Sequence, residues 1–258
     1  MLRGRLPERG ISVTRRSLTT AILVLASAGL GLARVGAQAS QAPTVDQILE
    51  KYVTASGGRA ALEKITSVDA KGTIQIPDVG IGGTVEILQK APDKAVTVVT
   101  LDGIGEQREG FDGTVGWSTD PQNGGREKSG AELAEAKRGA IFGRELKMKE
   151  IYPTMAVKGR EAINGKDSFV IEATAVDGSP AKLYFDVASG LCVRQVVTRT
   201  TPQGPLEVEA SFDDFRVVDG VKRAFAVRQV TSVFTAVIQF SEFKQNVAID
   251  DAVFKMPK

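Results

Sequence analysis

Residues 206–213 read LEVEASFD, and apolar and polar side chains alternate through the whole stretch. In an extended chain, Leu206, Val208, Ala210 and Phe212 fall on one side and their polar neighbours fall on the other. This alternation predicts a β-strand that is dry on one face and wet on the other. Such strands are typical of an antiparallel sheet that covers a core on one side.

Turn signals join this strand to similar runs along the chain. Asn164-Gly165, Ser189-Gly190 and Asp219-Gly220 each stand between two strand-like segments, and dipeptides of this kind are strong hairpin signals. Because parallel strands need long crossover connections, a series of hairpins predicts an antiparallel meander, here of about ten to eleven strands. Earlier strand patterns lie near residues 68–77, 83–90, 94–101, 104–111 and 115–119.

Helical spacing occurs in three segments. Thr44 and Gln47 predict a capping box at the start of the first segment, and residues 59–65 form the second. The third segment runs from a second predicted capping box, Ser129 with Glu132, towards residue 153. Since an open sheet of this size tends to curl, the predicted fold class is α+β, a strongly curved antiparallel sheet with helices packed into its concave side.

The first 39 residues have the layout of a secretory signal peptide. Arginines precede an apolar run at residues 18–32, and the small-residue pattern Ala37-Gln38-Ala39 follows it. The Arg15-Arg16 pair also resembles a twin-arginine signal, so both export routes remain open, and an uncleaved membrane anchor is the alternative. No cysteine stands at the cleavage point to carry a lipid anchor. We therefore expect an exported protein with a single domain over residues 40–258.

The composition removes several classes of function. The chain has no histidine, so it cannot contain a Ser-His-Asp or Cys-His centre or a zinc site built on paired histidines. Its single cysteine, Cys192, lies in a strand-like run and is predicted to be a small buried apolar residue. The 33 basic and 31 acidic residues nearly balance, and no basic tract indicates nucleic-acid binding. We expect no cofactor and no metal.

Carboxylates could act without histidine, and the chain has two adjacent pairs. Asp213 and Asp214 lie in a strand pattern, where neighbouring side chains point to opposite faces, and Asp250-Asp251 lies at a turn or helix start. Neither pair is predicted to form a general acid and base couple. We therefore expect no catalytic residue and a protein that is not an enzyme, with a hydrolase based on carboxylates as the alternative.

The informative feature of the sequence is apolar. A large curved sheet can enclose more space than a few helices fill, which would leave a pocket for an apolar ligand. Each candidate is also typical of an ordinary core residue, and periodicity does not separate a filled core from a hollow one. The candidates for the inward-facing, ligand-binding set are Val85, Ile87, Val96, Val98, Trp117, Phe142, Tyr152, Phe185, Phe212, Phe225, Ile238 and Phe240.

Residues 111–121 read FDGTVGWSTDP and contain the only tryptophan of the chain. This stretch resembles the strand–turn–strand signature of the LolA-type outer-membrane lipoprotein carriers, through Asp112-Gly113, Trp117 and Asp120-Pro121. The closing run QNVAIDDAVFKMP at residues 245–257 resembles the C-terminal pattern of that family. The opening run ILEKYVTASGGRAALEKI at residues 48–65 is similar to the start of a broader set of exported LolA-like proteins.

The resemblance implies an incomplete, half-open β-barrel with helices as a lid over an apolar cavity. It implies a monomeric periplasmic carrier for a lipid or for the acyl chains of lipoproteins, in which Trp117 helps to wall or plug the cavity. An envelope protein-interaction module on the same fold is the alternative. The carriers tie their lid with an arginine before a proline. Here Ala91 precedes Pro92, so Lys90 or Arg108 is the candidate replacement.

Overall fold

One antiparallel sheet organises the part of the chain that the computed structural model describes, residues 42–201 and 204–257. The signal peptide predicted for residues 1–39 lies outside these residues. The sheet has thirteen strands: β1 Ser67–Ile76, β2 Ile81–Lys90, β3 Lys94–Leu101, β4 Gly105–Phe111, β5 Gly116–Asp120, β6 Gly124–Glu127, β7 Thr154–Ile163, β8 Lys166–Thr174, β9 Pro180–Asp186, β10 Cys192–Thr201, β11 Gly204–Val218, β12 Val221–Val230 and β13 Thr235–Gln245.

The sheet is open and follows the predicted meander. Its strand order is β6-β5-β4-β3-β2-β1-β13-β12-β11-β10-β9-β8-β7, so the first and last strands pair at the centre and β6 and β7 form the two edges. The hairpins expected at Asn164-Gly165, Ser189-Gly190 and Asp219-Gly220 join β7 to β8, β9 to β10 and β11 to β12. The predicted strand number was too low. One reason is β6, which is exposed throughout and begins with two glycines, and therefore shows no apolar alternation.

Within the described residues, four α-helices accompany the sheet: α1 Val45–Ala55, α2 Arg59–Leu62, α3 Gly130–Ala140 and α4 Met148–Ile151. The capping box predicted at Thr44 is confirmed, because its side chain accepts from Gln47 N and Gln47 Oε1 accepts from Thr44 N. The capping box at Ser129 was wrong, because Glu132 instead accepts two hydrogen bonds from the guanidinium of Arg126, at 2.7 and 2.8 Å.

The third helical segment is divided. A 3₁₀ turn at Arg144–Leu146 separates α3 from α4, and Gly143 before it adopts a left-handed conformation with φ of 67°. A second 3₁₀ helix, Asp251–Phe254, lies near the C-terminus. No helix among the described residues is both long and apolar enough to cross a membrane.

The helices pack against one face of the sheet, which we call the helix face. Ile48 of α1 and Met148 of α4 belong to one buried cluster with strand residues such as Leu183. Val53 of α1 and Leu62 of α2 belong to a second cluster, with residues of the two central strands. A Cβ added at Gly116 of β5 would lie 3.1 Å from the Leu133 side chain, so α3 also lies over this face.

The opposite face of β2 to β5 is covered by the C-terminal segment, residues 246–257, and we call it the tail face. Here Trp117, Val96 and Phe254 form a small buried cluster, against which Leu88, Val98, Ile249 and Met256 pack. Because Trp117 follows Gly116 directly in β5, its side chain points away from α3. The two faces therefore have separate cores.

Candidate functional site

Two adjoining cavities lie on the helix face beneath the segment from α3 to α4. The first has a volume of about 340 Å³ and the second about 310 Å³. Apolar residues of the first include Leu62, Ile65 and Val68 on one side and Leu183 and Met148 on the other. Both cavities have walls from the strand group around β2 and from the group around β10, so they lie where the helical segment bridges the two halves of the sheet.

Nine of the twelve predicted inward-facing residues lie on the helix face or in the helical segment over it. Ile87 lines the second cavity, Phe142 and Phe212 line the first, and Tyr152 lines both. Phe185 contacts Tyr52 edge to face, at 5.3 Å between ring centroids, and lines a separate cavity of about 330 Å³ next to α1. The remaining four are packed core residues: Val85, Phe225, Ile238 and Phe240.

The other three predicted residues, Val96, Val98 and Trp117, do not face inward. In the β2–β3 ladder Val85 pairs with Val99, so Val96 and Val98 point to the opposite face. The expectation that these three face the cavity was therefore wrong. If a strand is assigned one position out of phase, each of its side chains is placed on the wrong face of the sheet. Because β3 has valines on both faces, its alternation did not reveal the correct phase.

Trp117 anchors the C-terminal segment. Its side chain is fully buried, and its indole N–H donates a 2.7 Å hydrogen bond to the carbonyl oxygen of Phe254. A buried tryptophan combines a large apolar surface with one donor that needs a partner, and this bond supplies the partner. The position of the only tryptophan is thus explained by packing of the tail.

Charged residues line one end of the second cavity. Glu109 of β4 accepts hydrogen bonds from Lys128, at 3.0 Å, and from Arg199 of β10, at 2.9 Å. Burial alone would raise the pKa of Glu109, but the two cations outweigh it and lower this pKa to about 2. Arg199 also donates to Glu135 of α3 at 2.9 Å, which joins the helix to the sheet.

Further contacts fasten the helical segment. Arg138 of α3 forms a buried ion pair with Asp177 in the turn between β8 and β9. Glu145 in the 3₁₀ turn accepts from Arg223 of β12 at 3.0 Å. The main-chain N–H of Phe142 donates to the carbonyl oxygen of Pro92, in the turn between β2 and β3, at 3.0 Å. The segment is therefore attached to the sheet on both sides of the cavities.

Four residues line both cavities at their junction: Gln89, Arg144, Tyr152 and Gln195. Sequence reasoning had included only Tyr152 among them. A signal was present for the two glutamines, because Gln89 continues the series of Val85 and Ile87 on the inward face of β2, where a polar residue is out of pattern. Arg144, which follows the left-handed Gly143, had no such signal.

One candidate catalytic group among the described residues, Cys192, is buried, and two others, Asp214 and Asp251, are paired with cations. Burial raises the pKa of the Cys192 thiol to about 12, so it stays protonated at neutral pH and is a poor nucleophile. Asp214 pairs with Arg216 at 2.6 Å, and Asp251 pairs with Lys90 and Lys94. Residues 42–201 and 204–257 contain no group of three or more acidic or cysteine side chains that could hold a metal ion.

Solved structures with the same architecture identify the fold. A LolA superfamily protein from Nitrosomonas europaea superposes with a TM-score of 0.53 at 16% sequence identity, covering 83% of this chain and 98% of that protein. The chain has a LolA-like fold. A DUF1329 family protein from Desulfovibrio piger matches with a TM-score of 0.54 at 14% sequence identity, and the match covers 82% of this chain and 97% of that protein. An outer membrane lipoprotein-sorting protein domain from Vibrio parahaemolyticus matches with a TM-score of 0.51 at 13% sequence identity. The match covers 81% of this chain and 94% of that domain.

These likenesses are structural, since no protein-family model and no curated protein sequence matches the chain. Among the described residues, neither candidate for the missing arginine forms a hydrogen bond or an ion pair with the helices α1 to α4. Lys90 Nζ donates to the Ile249 carbonyl oxygen and to Asp251 on the tail face, and Arg108 pairs with Glu106. The expectation that one of them replaces the arginine was therefore wrong. A main-chain hydrogen bond from Phe142 to Pro92 connects the helical segment to the β2–β3 turn.

Proposed function

We propose that this chain is an exported, non-catalytic binding or carrier protein that holds an apolar ligand between the sheet and its helical cover. The ligand would be a lipid or the acyl chains of a lipoprotein. The observation that carries the proposal is the pair of adjoining cavities, of about 340 and 310 Å³, on the helix face. Ligand sites span roughly 300–1,000 Å³, so each of the two cavities lies at the lower end of that range.

In this proposal the helix face is the concave side of a half-open barrel, and the segment from α3 to α4 is its lid. Ile87, Phe142 and Phe212 contact the ligand together with Tyr152, while the packed residues of the same face form the floor. The site of action is the periplasm. A link to lipoprotein sorting is supported by fold likeness alone, through the domain from Vibrio parahaemolyticus.

The test combines native ligand analysis with a variant that fills the cavity. The protein is purified from the periplasm of an expressing cell, extracted with organic solvent and analysed by mass spectrometry, and uptake of a fluorescent fatty acid is titrated. Thr97 of β3 is half-buried and lines the second cavity, so Thr97→Phe should reduce uptake. Co-purified lipid together with this loss would support the proposal.

A matched control lies on the same strand. Thr100 is exposed and, three residues along β3, points to the other face, so Thr100→Phe adds the same ring without entering the cavity. Circular dichroism melts establish that both variants fold. If the unchanged protein contains no lipid and takes up no fatty acid, or if the two variants take it up equally, the cavity is not the binding site.

The alternative, an envelope protein-interaction module, has one favourable observation. Val79, Val233 and Phe234 are exposed on two neighbouring turns, which are joined by a 2.6 Å hydrogen bond from Thr235 N to Asp78 Oδ2. Cross-linking in envelope extracts would distinguish the two functions. A protein partner lost in Val233→Ser and kept in the cavity-filling variant would favour the interaction module, whereas recovery of lipid without a protein partner would favour the carrier.

A further inference from the structure

The junction between the two cavities carries polar groups that the protein itself leaves almost unbonded. Gln89, Arg144, Tyr152 and Gln195 present two amides, a guanidinium and a phenol there. Among the described residues, their side chains make one hydrogen bond, from Arg144 Nη1 to the carbonyl oxygen of Arg138 at 2.9 Å. Tyr152 is buried and the other three residues are half-buried, so their free donors are open to the cavities and can serve a polar group of a ligand.

The charge at the junction is positive and uncompensated. Three other basic residues that line the second cavity have carboxylate partners within 4.0 Å: Lys128, Arg138 and Arg199. Arg144 has no carboxylate within that distance among residues 42–201 and 204–257. Arg144 is half-buried, and an anion bound at the junction would pair its charge.

We propose that Arg144 binds the anionic head group, a carboxylate or a phosphate, of a single-chain amphiphile whose tail lies in the first cavity. This inference rests on the proposed function and specifies its ligand. The guanidinium offers several donors in a planar fork that suits two oxygens of one anion. The amide groups of Gln89 and Gln195 and the hydroxyl of Tyr152 can donate to the remaining oxygen atoms.

The position of the tail follows from the walls of the first cavity. Leaving the junction, the lining changes to Leu62, Ile65 and Val68 on the side of α2 and β1, with Leu183 on the side of β9. Besides Arg144, the first cavity has three charged lining residues and the second has five, so the first is better suited to a hydrocarbon tail. The three are Glu145, Lys222 and Arg223, and the five are Glu109, Lys128, Glu135, Arg138 and Arg199. One charged head at the junction and one apolar tail in the first cavity would satisfy both the free donors and the apolar walls.

The experiment compares three ligands of equal chain length: lauric acid, lauryl phosphate and lauryl alcohol, each below its micelle-forming concentration. Their dissociation constants are measured by calorimetry on the delipidated full chain. We expect the acid or the phosphate to bind about tenfold to a hundredfold tighter than the alcohol, the range that a hydrogen bond to a charged group gives. The preferred anion distinguishes the two head-group chemistries.

Arg144→Gln should abolish this preference, so that the acid, the phosphate and the alcohol bind with similar dissociation constants. Arg144→Lys should restore part of it, because lysine keeps the charge without the fork. Lys137→Gln is the matched control. The Lys137 side chain is exposed on α3 and lines neither cavity, and its substitution removes one positive charge. This variant should therefore prefer the anionic ligands over the alcohol as strongly as the unchanged protein does.

The results separate this inference from the proposed function. If the alcohol binds and the acid and phosphate bind no tighter, or if Arg144→Gln keeps the preference, the head-group site is refuted while the apolar cavity stands. If none of the three ligands binds, the proposed function itself is refuted, and the head-group site with it.

Discussion

The separation of the two cores leads to a prediction about Phe254, the last buried residue of the tail. Its side chain is fully buried against Trp117 and Val96 on the tail face. Phe254→Ala removes the ring and leaves the main-chain carbonyl that accepts the indole hydrogen bond. The variant therefore tests the packing of the tail and keeps its polar anchor.

The expected cost is that of a large cavity in a fully buried site. Truncating a buried phenylalanine to alanine destabilises a protein by roughly 3–5 kcal/mol, as the sum of lost burial and the void left behind. For a domain of this size each kcal/mol lowers the melting temperature by about 2–4 °C. A fall of about 6–20 °C is therefore expected, provided that the tail unfolds together with the sheet.

The only tryptophan of the chain makes the assay specific. Urea unfolding is followed by Trp117 fluorescence and by far-ultraviolet circular dichroism, and both midpoints should fall together. Val253→Ala, a change at the neighbouring residue of the same 3₁₀ helix, which is 39% exposed, should cost less than about 0.5 kcal/mol. If Phe254→Ala costs less than about 1 kcal/mol, or if the two variants cost the same, the tail is not part of the cooperative core.

Three further predictions concern the helix face and the sheet. Gly72→Ala should destabilise the fold, because the added Cβ would lie 2.4 Å from a main-chain oxygen of β13. At Gly139 of α3 an added Cβ meets no atom within 4 Å. Gly139→Ala should therefore be neutral or stabilising by up to about 1 kcal/mol in thermal melts. Asp177→Asn leaves Arg138 buried without its carboxylate and should cost roughly 3–5 kcal/mol in urea unfolding; an unchanged midpoint would contradict the importance of that pair. The pKa of Glu109 falls from 4.5 to about 2 on folding, so its contribution to stability is complete above about pH 4.5 and is lost as the pH falls towards 2. Glu109→Gln should therefore show a smaller loss of melting temperature across that pH interval than the unchanged protein.

Much of the architecture could be predicted because its signals are local. A hairpin turn and the strands beside it are specified by a few adjacent residues, as at Asn164-Gly165, and the capping box at Thr44 needs only one partner three residues away. The capping box predicted at Ser129 failed because Glu132 found a stronger partner, Arg126, in a strand that the sequence did not reveal. A charged partner outside the helix thus overrode a local motif.

The direction in which the side chains of β3 point could not be predicted, because β3 has apolar residues on both faces, Val96 and Val98 on one and Val99 on the other. Alternation reports which face is buried only when the other face is wet. The C-terminal segment covers the second face. A contact between Trp117 and Phe254, 137 residues apart, leaves no local pattern in β5 or in the 3₁₀ helix near the C-terminus. The assignment of Val96, Val98 and Trp117 to the cavity failed for this reason.

The cavity itself leaves a mark in the sequence only where polar residues interrupt an apolar face. Burial favours apolar residues both in the wall of a cavity and in a filled core. The sequence around Phe142 and Phe212 therefore does not show whether these rings contact a ligand or a neighbouring side chain. Gln89 and Gln195 differ, because a glutamine in phase with buried residues needs a hydrogen-bond partner that a closed core would have to supply. Both stand at the cavity junction with no partner among the described side chains. In a sheet of this kind, the polar residue on the dry face is therefore the more useful guide to a binding site.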